Sequence, residues 1–233
     1  MYTANHTDDV SLGLGPLAVN GTVLTTWGVM AAFAALAVLY HWSNRHGSGR
    51  LQAGVEAVVV AIEAAIAEVL PTAAVRRVLP FVATLWLFVL VANLVGLIPG
   101  LHSPTRDLSA TSALALLVFG STHWFGIRDH GWRRHLHHYL EPSPILLPFH
   151  IVSELTRTLA LAIRLFGNIM SLEMAALLVL LIAGFLVPVP LLMLHVVEAV
   201  VQAYIFGMLA LIYIAGALEG APSDSPSSQE HSS

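Results

Sequence analysis

Cysteine and lysine are both absent from this 233-residue chain, and charged residues make up only 10% of it, against about 25% in soluble domains. Without cysteine there is no disulfide framework, no thiolate nucleophile and no thiol-bound metal. All ten bases are arginines, set against 14 acids for a formal net charge of −4. So sparse a basic complement excludes a nucleic-acid-binding surface, which needs clustered Lys and Arg to neutralise phosphates. The first base is Arg45, so no charged segment precedes a short apolar run near the start, and a cleaved signal peptide is not expected. What the chain has in excess is apolar: hydrophobic residues are 57% of the total, the composition of a membrane protein.

Residues 23–42 (VLTTWGVMAAFAALAVLYHW) carry no formal charge. As a helix rising ~1.5 Å per residue they cover about the ~30 Å hydrocarbon core. Residues 78–98 and 108–127 pass the same test, and Trp27, Trp42 and Trp124 stand towards the ends of these segments, where interfacial indoles belong. Residues 51–69 differ, because Gln52, Glu56 and Glu63 fall on one helical face. A span there would have to hide two carboxylates, so the pattern predicts an amphipathic helix lying at the interface.

Two longer apolar blocks follow. Residues 145–186 make roughly 60 Å of helix and 191–218 roughly 40 Å, both more than a ~30 Å core needs. The first block is therefore strongly tilted, bent or broken. Pro188–Pro190 is read as the turn that makes the two blocks a helical hairpin. Arg45, Arg50, Arg76 and Arg77 lie between the first two spans and Arg128, Arg133 and Arg134 after the third, with only Arg106 in the loop between. This bias predicts the N-terminus outside and the two Arg-rich loops in the cytoplasm. The expected organisation is an extracytoplasmic N-terminal segment 1–22, a single polytopic membrane domain 23–219 and a disordered cytoplasmic tail 220–233. Within the domain lie the amphipathic helix 51–69 and a hairpin 145–218. The fold class is an all-α membrane protein with five transmembrane helices and one amphipathic interfacial helix.

Glu154, Arg157, Arg164, Asn168 and Ser171 form one polar stripe on the first long block. An arginine in mid-membrane costs at least ~2.5 kcal/mol on insertion scales, so it faces protein or water and is a functional candidate. Arg157 has a structural explanation, pairing with Glu154 three residues earlier on its own helix. Arg164 has no carboxylate three or four residues away on either side, so its counter-charge comes from another helix or another chain. Glu173, nine residues on, is about half a turn away in azimuth and ~13 Å along the axis, which excludes a same-helix pair with Arg164. On the last block His195, Glu198 and Gln202 share a face, with Tyr213 further along it, and together they can carry protons or line a wet path. There is no HExxH motif and no thiolate, so a metal pair at His195 and Glu198 is disfavoured; a plain interhelical hydrogen-bond cluster is the blander alternative. The loop His135–His138 could bind metal, but Arg133 and Arg134 beside it favour a solvated cytoplasmic loop.

The string RTLALAIRLFGNIMSLEM, the later HVVEAVVQAYIF and the earlier NLVGLIPG followed by DLSATSALA resemble subunit a of the membrane sector of rotary F-type ATP synthases. The likeness runs from about residue 50 to 219, and RLFGN is among its most specific motifs. It implies that Arg164 is the essential charge facing a carboxylate on each subunit of a c ring. Asn168, Glu173, His195 and Gln202 match ion-path positions, with Glu198 beside them, and Glu154 and Arg157 are candidates for the inner half-channel. The last two helices would be long and steeply tilted around the ring. The partners implied are the c-subunit ring, the b subunits of the peripheral stalk, the F1 sector through the complex, and the lipid bilayer. No cofactor, metal or nucleic acid is implied, and the location is the plasma membrane of a prokaryote. Ala160 and Arg157 depart from the hydroxyl residue and lysine of some members. The chain is also similar to the alternative (N-type) F-type ATPase found beside the housekeeping enzyme, several of which are thought to carry sodium, so proton and sodium both stand as the coupling ion. No GxxxxGK[ST] loop is present, so nucleotide chemistry resides elsewhere. A secondary ion transporter is the rival from another class, but it would usually show inverted repeats, and the two long blocks differ in their polar patterns. An assembly factor with only structural contacts would leave Arg164 unexplained.

Overall fold

The computed structural model describes residues 12–14, 17–19, 21–46, 49–98, 101, 103–131, 147–183 and 188–219. The expected tail at 220–233, the loop His135–His138 and Arg133 and Arg134 lie outside these residues. Six helices dominate: α1 (Gly21–His46), α2 (Gly49–Ala67), α3 (Thr72–Val95), α4 (Leu108–His130), α5 (Leu147–Ala183) and α6 (Pro188–Glu219). A single 3-10 turn, Pro104–Arg106, precedes α4. Five helices, α1 and α3 to α6, are long and apolar enough to cross a membrane, and α2 is not among them. Ahead of α1 two three-residue strands, β1 (Leu12–Leu14) and β2 (Leu17–Val19), pair antiparallel, a detail the sequence pattern did not anticipate.

α5 is one unbroken helix of 37 residues, about 55 Å long at ~1.5 Å per residue, which removes a break as the answer to its excess length. The PVP motif is not the turn between the long helices, because Pro188–Pro190 lies in the first turn of α6. The reason is local: the first amides of a helix have no intrahelical acceptor, so proline loses nothing there and its fixed φ suits the helix start.

α6 is the central element, packed against α3, α4 and α5. One apolar cluster joins Leu85 and Val89 of α3, Val118 of α4, Leu161 and Leu165 of α5 and Phe206 of α6. A second joins Ile62 and Ile66 of α2 to Val78 and Val82 of α3 and to Leu211 and Ile214 of α6. Ile62 and Ile66, four residues apart, form the inward face of α2, while Glu56 and Glu63 are exposed. α3 reaches α6 closely because Gly207 has no side chain: a Cβ there would stand 2.8 Å from the Trp86 ring. α4 is capped by Asp107, whose carboxylate accepts from the Ser109 amide at 2.9 Å and satisfies one of the free N–H groups of the first turn. α1 is peripheral, with Val29 its one buried residue among those described.

Candidate ion path

α5 and α6 run antiparallel, and two contacts fix their register. Asn168 Nδ2 donates to Gln202 Oε1 at 2.5 Å, and eleven residues away on both helices the Arg157 guanidinium lies 4.7 Å over the centre of the Tyr213 ring. These levels are about 16 Å apart along the helices. Between them the interior is apolar: Leu161 and Leu165 of α5 and Ala203, Phe206 and Ala210 of α6 are all buried in the first cluster. The polar residues of the hairpin thus fall into two groups with a plug between them.

The first group surrounds the end of α5, the start of α6 and the connection from α3 to α4. Glu173 pairs with Arg106 at 3.2 Å; the carboxylate side chain is 17% exposed and the guanidinium 45%. Gly96 makes room beside this pair, since a Cβ there would meet Ser103 at 3.2 Å and Glu173 Oε1 at 3.5 Å. His195 is buried, and its Nε2 donates to the Asn93 carbonyl at 3.3 Å. Asn93, also buried, accepts through Oδ1 from Thr105 Oγ1 at 2.8 Å, and Ser103 Oγ donates to the Ala92 carbonyl at 2.8 Å. Glu198 is half-buried one turn along from His195. Gln202 closes this group towards the plug. It is 1% exposed, and its Nε2, like Asn93 Nδ2, has no hydrogen-bond partner among the described residues. Buried amides ordinarily have a protein or water partner, so these two donors can each bind a water.

The second group lies beyond the plug. The expected Glu154–Arg157 pair does not form. Glu154 turns to α4, where its Oε1 lies 3.7 Å from His123 Nε2, and Arg157 stacks on Tyr213 instead. The cross-helix partners are nearer in direction because Glu154 and Arg157 point to different neighbours of α5. Ser171, the last member of the stripe, is exposed.

Arg164 sits between the two groups in height and outside both. Its side chain is exposed, and among the described residues it makes no ion pair or side-chain hydrogen bond. Exposed apolar side chains are frequent on both long helices, among them Leu159 and Ile163 of α5 and Val200, Val201 and Tyr204 of α6. The sequence reading missed Asn93, Ser103, Thr105 and His123. Asn93 and His123 carried the signal that singled out Arg164, a polar side chain inside an apolar span; Ser103 and Thr105 sit in a loop and carried none. No group of three His, Asp or Glu among the described residues is placed to hold a metal ion.

Fold and site together define a polytopic helical membrane protein with two polar clusters separated by an apolar plug and, between them in height, an exposed arginine that is unpaired among the described residues. The family described as ATP synthase A chain matches residues 23–215. Similar proteins include ATP synthase subunit a 2 of Pelobacter propionicus, 64% identical over 206 residues, covering 88% of this chain and 90% of that protein. ATP synthase subunit a 1 of Hahella chejuensis is 60% identical over 210 residues, covering 90% and 89%. ATP synthase subunit a of Legionella pneumophila is 55% identical over 214 residues, covering 90% and 91%. The chain belongs to the subunit a family of F-type ATP synthases. It is a membrane subunit of the stator in the Fo sector, not itself catalytic, and its place is in an ATP synthase complex of a prokaryotic membrane.

Proposed function

We propose that this chain forms two ion half-channels against a ring of c subunits and couples proton translocation to ATP synthesis or hydrolysis, with Arg164 as the fixed charge that each ring carboxylate meets in turn. The observation that carries this reading is Arg164 itself, exposed on an apolar face and unpaired among the described residues. A guanidinium stays charged at any physiological pH, and a charge facing lipid is costly, so the face is completed by a partner that brings the opposite charge. A carboxylate on a rotating ring meets that need. Ionised, it is tolerated only opposite Arg164; neutralised by its ion, it can move on through lipid.

Glu173, His195, Glu198, Gln202 and Asn168 line the outer half-channel, and Glu154 and Arg157 the inner one. The plug between Gln202 and Tyr213 keeps the two from joining, and Arg164 at its level repels a cation taking the short way round. Transport then depends on rotation. Each charge crossing 100 mV releases ~2.3 kcal/mol, too little for one ATP, and a ring sums several crossings. The arginine bias of the loops supports an N-terminus outside and a C-terminus in the cytoplasm, with the b subunits and the F1 sector as further partners. The alternative is the same role with sodium as the coupling ion, a choice that rests with the ring's own binding site.

Arg164→Ala tests the mechanism. Assembly of the complex should persist while ATP synthesis and ATP-driven ion pumping in membrane vesicles are lost; substantial ATP-driven pumping by the variant would falsify the reading.

A further inference from the structure

His123 lies on α4, opposite the inner polar group, and its ring is oriented from both sides. Nδ1 is 2.9 Å from the carbonyl oxygen of Phe119, and the ring packs on the Phe119 ring with centroids 4.4 Å apart. A carbonyl only accepts, so Nδ1 carries the hydrogen and Nε2 presents a lone pair. Nε2 faces Glu154 Oε1 at 3.7 Å. An imidazole lone pair and a carboxylate oxygen are both acceptors, so a proton brought between them can be bound by either.

Next to this pair is a small cavity of about 20 Å³, lined by Glu154, Thr122, Thr158, Arg157 and Tyr213 among others. One water needs ~10 to 15 Å³ and two to four polar partners. Thr122 Oγ1 already donates to the Val118 carbonyl and Thr158 Oγ1 to the Glu154 carbonyl, so both hydroxyls offer lone pairs to the cavity. Leu161 forms the far wall and belongs to the plug. The cavity thus ends where the apolar barrier begins, and Arg157, on the outer face of α5, borders it.

We infer that His123 and Glu154 form a proton relay, with one water in the adjoining cavity, at the inner end of the ion path. A proton arriving from the aqueous side adds to His123 Nε2 and gives an imidazolium beside the Glu154 carboxylate. It then passes to Glu154 Oε1, restoring neutral imidazole. Finally it leaves through the water towards Arg157 and the outer face, restoring the carboxylate. In the opposite direction the steps reverse, and no bond other than those to the proton changes. Nitrogen at the centre of the relay selects a proton over sodium, since hard cations take oxygen ligands. The relay rests on the reading that Glu154 and Arg157 line the inner half-channel.

The test uses the whole complex in membrane vesicles. Passive proton flow is measured after removal of F1, in sodium-free medium, alongside the amount of assembled complex. His123→Ala is expected to slow the flow by about tenfold or more, equivalent to ~1.4 kcal/mol on the barrier. Because the ring is only partly buried, added imidazole reaches the space it leaves and is expected to restore the flow. Glu154→Gln and His123→Gln keep side-chain size, and both should show the loss without a change in assembly; they carry the test if the alanine variant fails to assemble. Normal flow in either glutamine variant overturns the relay, as does a loss in His123→Ala that imidazole leaves uncorrected. If Arg164→Ala still pumps, the half-channel reading itself fails; if Arg164→Ala is inactive and His123→Gln conducts normally, only the relay falls.

Discussion

Gln202 is buried, accepts a hydrogen bond from Asn168 and leaves its own amide nitrogen without a partner among the described residues. Two opposing effects therefore meet in Gln202→Leu. The Asn168 bond is lost, at about 1 kcal/mol, while a buried unpaired donor is removed, a gain of similar size. Stability of the assembled complex should change by less than ~1 kcal/mol, seen as a small shift in its melting temperature. Ion flow should fall clearly, because the polar link nearest the plug is gone. His195 and Glu198 allow a graded comparison. His195→Leu and Glu198→Leu are each expected to slow passive ion flow, and unchanged flux would return them to a structural role. At this scale much of the site was readable in the chain: Arg164, Glu173, His195 and Gln202 are polar residues where apolar ones belong, which is a property of sequence alone. Their partners were not readable. Arg106 meets Glu173 across 67 positions, and His195 meets Asn93 across 102. The expected Glu154–Arg157 pair shows the limit of same-helix spacing as evidence, since α4 supplied both a better-placed base for Glu154 and the wall of the cavity beside it.

Helix by helix, the apolar pattern carried most of the information. Each of the five long helices overlaps its expected segment, and α2 shows the amphipathic division predicted from Gln52, Glu56 and Glu63, with Ile62 and Ile66 turned inward. The misreading of Pro188–Pro190 has a physical cause: proline ends a helix that precedes it but is well placed in the first turn of one that follows. Close approach of helices was invisible to periodicity. Gly207 reads as an unremarkable residue in an apolar run, yet it is where α6 meets the Trp86 ring of α3. Trp86 is further held against Tyr204, with ring centroids 5.4 Å apart, so it has little freedom to retreat. Gly207→Ala should therefore destabilise the packing of α3 on α6 by ~1 to 3 kcal/mol, read as a lower melting temperature of the complex. Combining it with Trp86→Leu, which withdraws the ring, should recover part of the loss; no recovery would mean that the strain lies elsewhere.

For the whole molecule, the absence of cysteine offers a direct test of orientation. Glu68 and Leu101 are exposed, one before α3 and the other after it. In sealed vesicles of known sidedness, Glu68→Cys should react with a membrane-impermeant maleimide from the cytoplasmic face and Leu101→Cys from the opposite face. The reverse pattern would invert the assignment of outer and inner half-channels. The sequence by itself determined the membrane class, the number of spans found among the described residues, the amphipathic helix and which polar side chains stand inside apolar helices, because hydropathy and charge are local and the bilayer imposes one length on every span. Only the tertiary structure decided that the polar residues fall into two clusters, that an apolar plug of Leu161, Leu165, Phe206 and Ala210 divides them, and that Arg164 faces outward at that level. Those facts depend on the rotation and register of α5 against α6 and on what α3 and α4 bring to them. Such relations join residues up to a hundred positions apart, and no periodicity within one helix contains them.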